Sequence, residues 1–168
     1  MTRRFDTQMD NVVKIITTII HFSILPIPFF LYANSGFYDT LILVLLLGIT
    51  FLLAFLLRPF EYMVDENKIV IRKNIFAKKI PFENIASITT VNYKELKIRL
   101  RLWGSGGLWG WFGIFLSAEY GKINLQITEK NNLLLITTKD DKHIVLSPIE
   151  QIEFAETVKK QIKLLNKN

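Results

Sequence analysis

The stretch VVKIITTIIHFSILPIPFFLY (Val12–Tyr32), followed after seven residues by TLILVLLLGITFLLAFLL (Thr40–Leu57), decides the architecture of this chain. The first run has 21 residues, with Lys14 near its start and His21 inside; the second has 18 and carries no charge. As a helix rising 1.5 Å per residue, the shorter run is about 27 Å long. A bilayer hydrocarbon core of about 30 Å needs around 20 apolar residues, so both runs qualify. Either alone could be a buried core helix, and the first could be a signal peptide with Leu31-Tyr32-Ala33 as its processing site. Two such runs in immediate succession favour a membrane hairpin over 12–57, with helices at 12–32 and 40–57.

Lys and Arg set the expected orientation. The connection Ala33–Asp39 has neither, whereas Arg3, Arg4 and Lys14 flank the first helix and Arg58, Lys68, Arg72 and Lys73 follow the second. Both termini are therefore expected in the cytoplasm of a bacterial cell, with 1–11 a cytoplasmic N-terminal segment. Pro26 and Pro28 remove backbone donors and should kink or loosen the first helix. His21 stands without another ionisable group at its depth, and reads as a neutral, hydrogen-bonded side chain rather than a proton relay.

The chain has no cysteine, which excludes disulfides, thiolate metal sites and cysteine nucleophiles. Its formal charge of +6 is uneven. Residues 1–57 carry three basic and three acidic side chains, so the whole excess lies from Arg58 onward. Beside a bilayer such an excess favours anionic headgroups; tethering argues against the other polyanion, nucleic acid.

After Arg58-Pro59 the period shortens to β segments with turns between them. Strand signals run over Phe60–Val64, Lys68–Arg72, Ile75–Ile80, Ile85–Val91, Leu96–Leu102, Lys122–Thr128, Leu133–Thr138 and His143–Leu146, and a glycine-tryptophan stretch, Trp103–Gly113, interrupts them. A helix over 148–166 should close the chain. Ser147 is placed as its N-cap, Pro148 as its first residue and Glu150 as partner in a capping box. Ile149, Ile152, Ala155, Val158, Ile162 and Leu165 form its apolar stripe, and Lys159, Lys160, Lys163 and Lys167 suit its C-terminal dipole. Strands followed by one amphipathic helix predict a sandwich or partly open barrel, capped by that helix, over 58–168.

Three segments carry a family resemblance: Arg101-Leu102-Trp103-Gly104-Ser105-Gly106-Gly107-Leu108-Trp109-Gly110-Trp111-Phe112-Gly113, then Ile127-Thr128 with Asn132, then Ile144-Val145-Leu146-Ser147-Pro148. Together with the order of elements, they resemble the bacterial PH-like (pleckstrin-homology-like) proteins in a membrane-anchored form. The resemblance implies a seven-stranded, helix-capped fold without established enzymatic activity. Eight strand-like runs are one more than this, and Leu96–Leu102 is the candidate surplus.

No residue set amounts to a catalytic, cofactor or metal site. The glycines lack the Gly-Lys-Ser/Thr of a phosphate loop, and Trp109 stands where a dinucleotide fingerprint needs its third glycine. Lys97, Arg99 and Arg101 recur at i, i+2 and i+4, so a strand would present them on one face. That face is either solvated or a contact for anionic phospholipid or an acidic partner. Trp103, Trp109, Trp111, Phe112 and Phe115 either pack into the β core or lie at the membrane interface or a protein partner. The reading is of a non-enzymatic, membrane-anchored module that binds or scaffolds a protein or anionic lipid; the alternative is an accessory subunit recognised through its hairpin.

Overall fold

The computed structural model describes residues 2–165. The first helix, α1 (Asn11–Ile24), starts where the Asp10 carboxylate accepts the Val13 amide at 2.7 Å, satisfying a donor that the first turn leaves free. It breaks at Leu25-Pro26 and continues as α2 (Ile27–Ser35) with Pro28 in its first turn, where a missing N–H costs nothing. Gly36, at φ 90°, turns the chain into α3 (Phe37–Leu57). The seven-residue connection read from the sequence thus contracts to the surroundings of Gly36: nothing between Tyr32 and that glycine stops a helix, and Asn34 donates its side-chain amide back to the Phe30 carbonyl. The spans Asn11–Asn34 and Phe37–Leu57 are each long and apolar enough to cross a membrane. Few of their residues are buried inside the protein, 6% and 0% of the most apolar window of each, unlike the mostly buried core helix of a soluble protein.

Among the described residues ten strands form two sheets. The smaller has the order β1-β2-β3-β4, from Arg3–Asp6, Pro59–Val64, Lys68–Lys73 and Ala77–Pro81. The larger has the order β5-β9-β10-β8-β7-β6, from β5 (Ile85–Val91), β6 (Ile98–Gly106), β7 (Trp111–Ser117), β8 (Gly121–Ile127), β9 (Leu133–Thr138) and β10 (His143–Leu146). All of its pairs are antiparallel except β10 with β8. The eight runs read from the sequence all recur as strands, and Leu96–Leu102 contributes β6 in its own right. The two further strands are β1, before the helices, and β7, which starts within the glycine-tryptophan stretch and runs on to Ser117.

The strand β1 changes the meaning of the N-terminal segment. It pairs antiparallel with β2, Phe5 opposite Tyr62, so residues on both sides of the helix pair build one sheet. Between the two sheets and the C-terminal helix α4 (Gln151–Leu165) lies one core, including Phe5, Tyr62, Ile71, Ile136 and Phe154. A second core covers the far face of the larger sheet, where Val13 of α1 is completely buried against residues such as Trp111 and Leu125. Asp10 adds to this seam by accepting the Lys130 amide. The base of the helix pair is therefore part of the β domain's packing.

The start of α4 departs from the expectation. Ser147 is buried, and its hydroxyl accepts the Thr128 amide at 3.0 Å instead of capping a helix. The Tyr62 hydroxyl donates to the Gln126 carbonyl at 2.6 Å and accepts the Ser147 amide; complete burial pushes this phenol up to about 12. The Ile149 amide donates to the Asp6 carbonyl of β1, so the helix begins only at Gln151. Its buried side chains are Phe154 and Val158, with Ala155 and Ile162 against the core, while Ile152 is exposed. The expected end at 166 and the dipole role of Lys167 lie outside the described residues.

Candidate functional site

The hairpin of β6 and β7 projects from the larger sheet to the base of the helices. Its strands approach closely at Gly104 and Gly113, which sit opposite each other at φ 107° and 121°. A Cβ on Gly104 would overlap the Phe112 carbonyl, and one on Gly113 the Trp103 carbonyl. At the tip Ser105 donates to the Leu108 carbonyl, and the Gly107 amide to the Gly110 carbonyl at 3.0 Å.

The tip docks on the helices through Trp109. Its backbone, at φ 60°, presents the amide to the Thr17 hydroxyl of α1 at 3.2 Å. Its ring meets His21 and Phe55 edge-on, at 5.9 and 5.5 Å between centroids. The Arg58 guanidinium lies 5.3 Å from the Trp109 ring and 4.7 Å from that of Phe55, a cation–π arrangement. Partial burial lowers the pKa of Arg58 from its ordinary value. His21 is held by the Thr17 carbonyl, 2.7 Å from Nδ1.

A second contact lies beyond the end of α3. In the β3–β4 turn Asn74 donates to the Phe55 carbonyl at 2.8 Å, leaving Ile75 and Phe76 exposed. Lys73 and Lys78 flank this apolar tip. Burial, with the charge of Lys78 adding to it, brings Lys73 down to about 8; burial, followed by the charge of Lys142, also lowers Lys78.

The structure separates the residues that alternation grouped. Lys97 is not in the strand. It ends the 3-10 turn Tyr93–Leu96 in the left-handed conformation, φ 43°, and its ammonium lies 2.7 Å from Glu119. That hydrogen bond and charge raise its pKa. Arg99 and Arg101 are in β6, but bulges between Ile98 and Leu100 and between Arg101 and Trp103 interrupt the simple alternation. Both are exposed. Ion pairs among the described residues engage Arg3, Arg4, Lys68, Arg72, Lys97 and Lys142, and neither Arg99 nor Arg101. Arg101 reaches along its strand toward the hairpin tip, its Nη1 3.1 Å from where a Cβ on Gly106 would be.

The five aromatics divide three ways. Trp111, Phe112 and Phe115 are buried; Trp111 and Phe115 join the core on the far face of the larger sheet, the first of the two alternatives, whereas Phe112 lies between the hairpin and the helices. Trp109 is half-buried against the helices. Trp103 is 62% exposed, beside exposed Leu100 and Leu102. The cluster of Thr17, His21, Phe55 and Arg58 around Trp109 escaped the sequence reading, because its members come from three distant segments. Ile75 and Phe76, assigned from the sequence to the start of a strand, lie instead in the turn that makes the second contact, because β4 begins only at Ala77. No group of three His, Cys, Asp or Glu side chains among the described residues is placed to hold a metal.

The sheet order, the capping helix and the glycine-built hairpin coincide with a match to the family model described as bacterial PH domain, over residues 60–162. The chain belongs to the bacterial PH domain family. The match spans β2 to most of α4, leaving the helix pair and β1 outside it. No curated protein and no solved structure matches the chain.

Proposed function

We propose that this PH-domain protein is a non-enzymatic module held at the cytoplasmic face of a bacterial membrane by its helical hairpin, where the β domain binds or scaffolds a protein or an anionic lipid. The pairing of β1 with β2 carries the reading: the chain before α1 and after α3 belongs to one sheet, so the apolar spans leave and return on the same side. That geometry suits a two-pass hairpin, and the Lys/Arg-free turn around Gly36 supports placing the β domain in the cytoplasm. PH domains are in general binding modules rather than catalysts, in keeping with unpaired cations and exposed apolar side chains at the helix base.

Orientation is tested with single cysteines in a chain that has none. An impermeant maleimide applied to intact cells should label Asn34→Cys and leave Lys94→Cys unlabelled until the cells are opened; the reverse pattern overturns the orientation.

A second reading places recognition in the hairpin. Where α1 breaks, α3 is left uncovered along a groove of about 430 Å³ beside Leu25, Pro28 and Gly48, and small residues let helices approach closely. Exchanging only 24–50 for an unrelated apolar sequence, which keeps the Trp109 contacts, separates the two. Partners crosslinked in native membranes should persist if the β domain recognises them. Their loss would transfer recognition to the hairpin.

A further inference from the structure

Between the β6–β7 hairpin and the helix pair runs a groove of about 450 Å³, lined by Ile20, Thr50, Leu53, Leu57, Arg101 and Trp103 among others. We propose that this groove holds one anionic phospholipid, its phosphate at Arg101 and an acyl chain against α3. The inference rests on the membrane-anchored reading and adds to it a site and a ligand class.

Depth supplies the first argument. Thr50 precedes Leu57, the last residue of α3, by seven positions, so the groove reaches about 10 Å down the helix. A headgroup layer is about 5–8 Å thick on each side of the hydrocarbon. The 21 residues of α3 are about as long as the hydrocarbon core is thick, so Leu57 stands at the core boundary. The Thr50–Leu57 wall of the groove is therefore at acyl level, and the headgroup layer begins next to its Leu57 end. A soluble ligand does not suit both environments; a phospholipid does.

The walls supply the second. The lower wall is aliphatic, from Ile20 and Leu53, and offers no polar partner except the Thr50 hydroxyl, which donates to the Leu46 carbonyl. At the rim, Arg101 has a planar guanidinium suited to two phosphate oxygens at once, and no carboxylate among the described residues pairs with it. Trp103 stands exposed at the same rim, where an indole is favoured between headgroup and acyl layers. The volume falls within the range of about 300–1,000 Å³ usual for ligand pockets.

The test uses the full-length chain in nanodiscs containing equal amounts of phosphatidylglycerol and phosphatidylcholine, followed by native mass spectrometry of the released protein. One retained phospholipid is expected, with phosphatidylglycerol preferred about fivefold, as one near-surface arginine allows. Arg101→Gln should remove the preference, Ala54→Trp should block retention by filling the groove, and Lys94→Gln should change neither. The unaltered chain gives an independent measurement: phosphatidylglycerol with a photoreactive acyl chain should crosslink to Ile20 or to Thr50–Ala54. Retention indifferent to both groove variants, or crosslinks confined to the outer half of the helices, overturns the site while leaving anchoring intact. A chain that alkaline carbonate strips from native membranes overturns anchoring and the site together.

Discussion

Phe5→Ala should lower the stability of the β domain by about 3–5 kcal/mol, the usual cost of removing a buried aromatic ring, although Phe5 precedes the helices and lies outside the matched family segment. Its side chain is only 3% exposed and its ring meets that of Phe154 edge-on at 5.0 Å. The neighbours of Phe5 hold the same seam. Arg3 pairs with Glu153 of α4, and the Asp6 carbonyl accepts the Ile149 amide. Deleting 2–6 should be worse still, since it bares the β2 edge and leaves Phe154 facing a gap. The measurement is urea unfolding of full-length protein in detergent micelles, followed by tryptophan fluorescence. A Phe5→Ala unfolding free energy within about 0.5 kcal/mol of wild type, the range of an ordinary surface substitution, would remove β1 from the folding unit. One consequence is practical: a fragment beginning at Arg58 lacks a strand, so its failure to fold would say nothing against the domain.

That strand also marks a limit of what the sequence reveals. Arg3-Arg4-Phe5-Asp6 offers one apolar residue, too few for alternation to register, and its partner lies beyond the whole helix pair. The long apolar runs were legible because membrane-length hydrophobicity is a one-dimensional property. The break at Pro26 was legible for the same reason: the missing donor is local. Strand β7 was hidden because Trp111-Phe112-Gly113 is buried on both faces and so does not alternate. The Lys97, Arg99 and Arg101 triplet failed from the opposite cause. Its alternation is perfect in the sequence, but a left-handed residue and two bulges, set by the pairing with β7, redirect it. Ser147 satisfied every local requirement of a cap, yet a buried tyrosine from β2 and the Thr128 amide claimed it. Of the candidate site, the charges and aromatics were visible; their division among core, helix contact and open groove depended on tertiary packing.

The glycine signature makes the sharpest energetic claim. Gly104→Ala and Gly113→Ala should each cost about 2–4 kcal/mol, at the high end for single substitutions, because each adds two penalties. At φ 107° and 121° an alanine is strained by its own backbone. Its Cβ would also overlap a carbonyl of the opposite strand, which is backbone and cannot rotate away. Relief requires β6 and β7 to move apart, and that movement pulls Trp109 from Thr17 and Phe55 and opens the groove at Arg101. Since the two glycines face each other, the double variant should cost clearly less than the sum: strands already separated by one methyl have room for the second. Gly121→Ala is the control, with φ 63° but open space around the new methyl, and should cost about 1 kcal/mol. Thermal unfolding of the four proteins decides the matter. If Gly104→Ala melts no lower than Gly121→Ala, the close approach of the two strands does not exist in the folded protein, and the glycines serve only to permit turns.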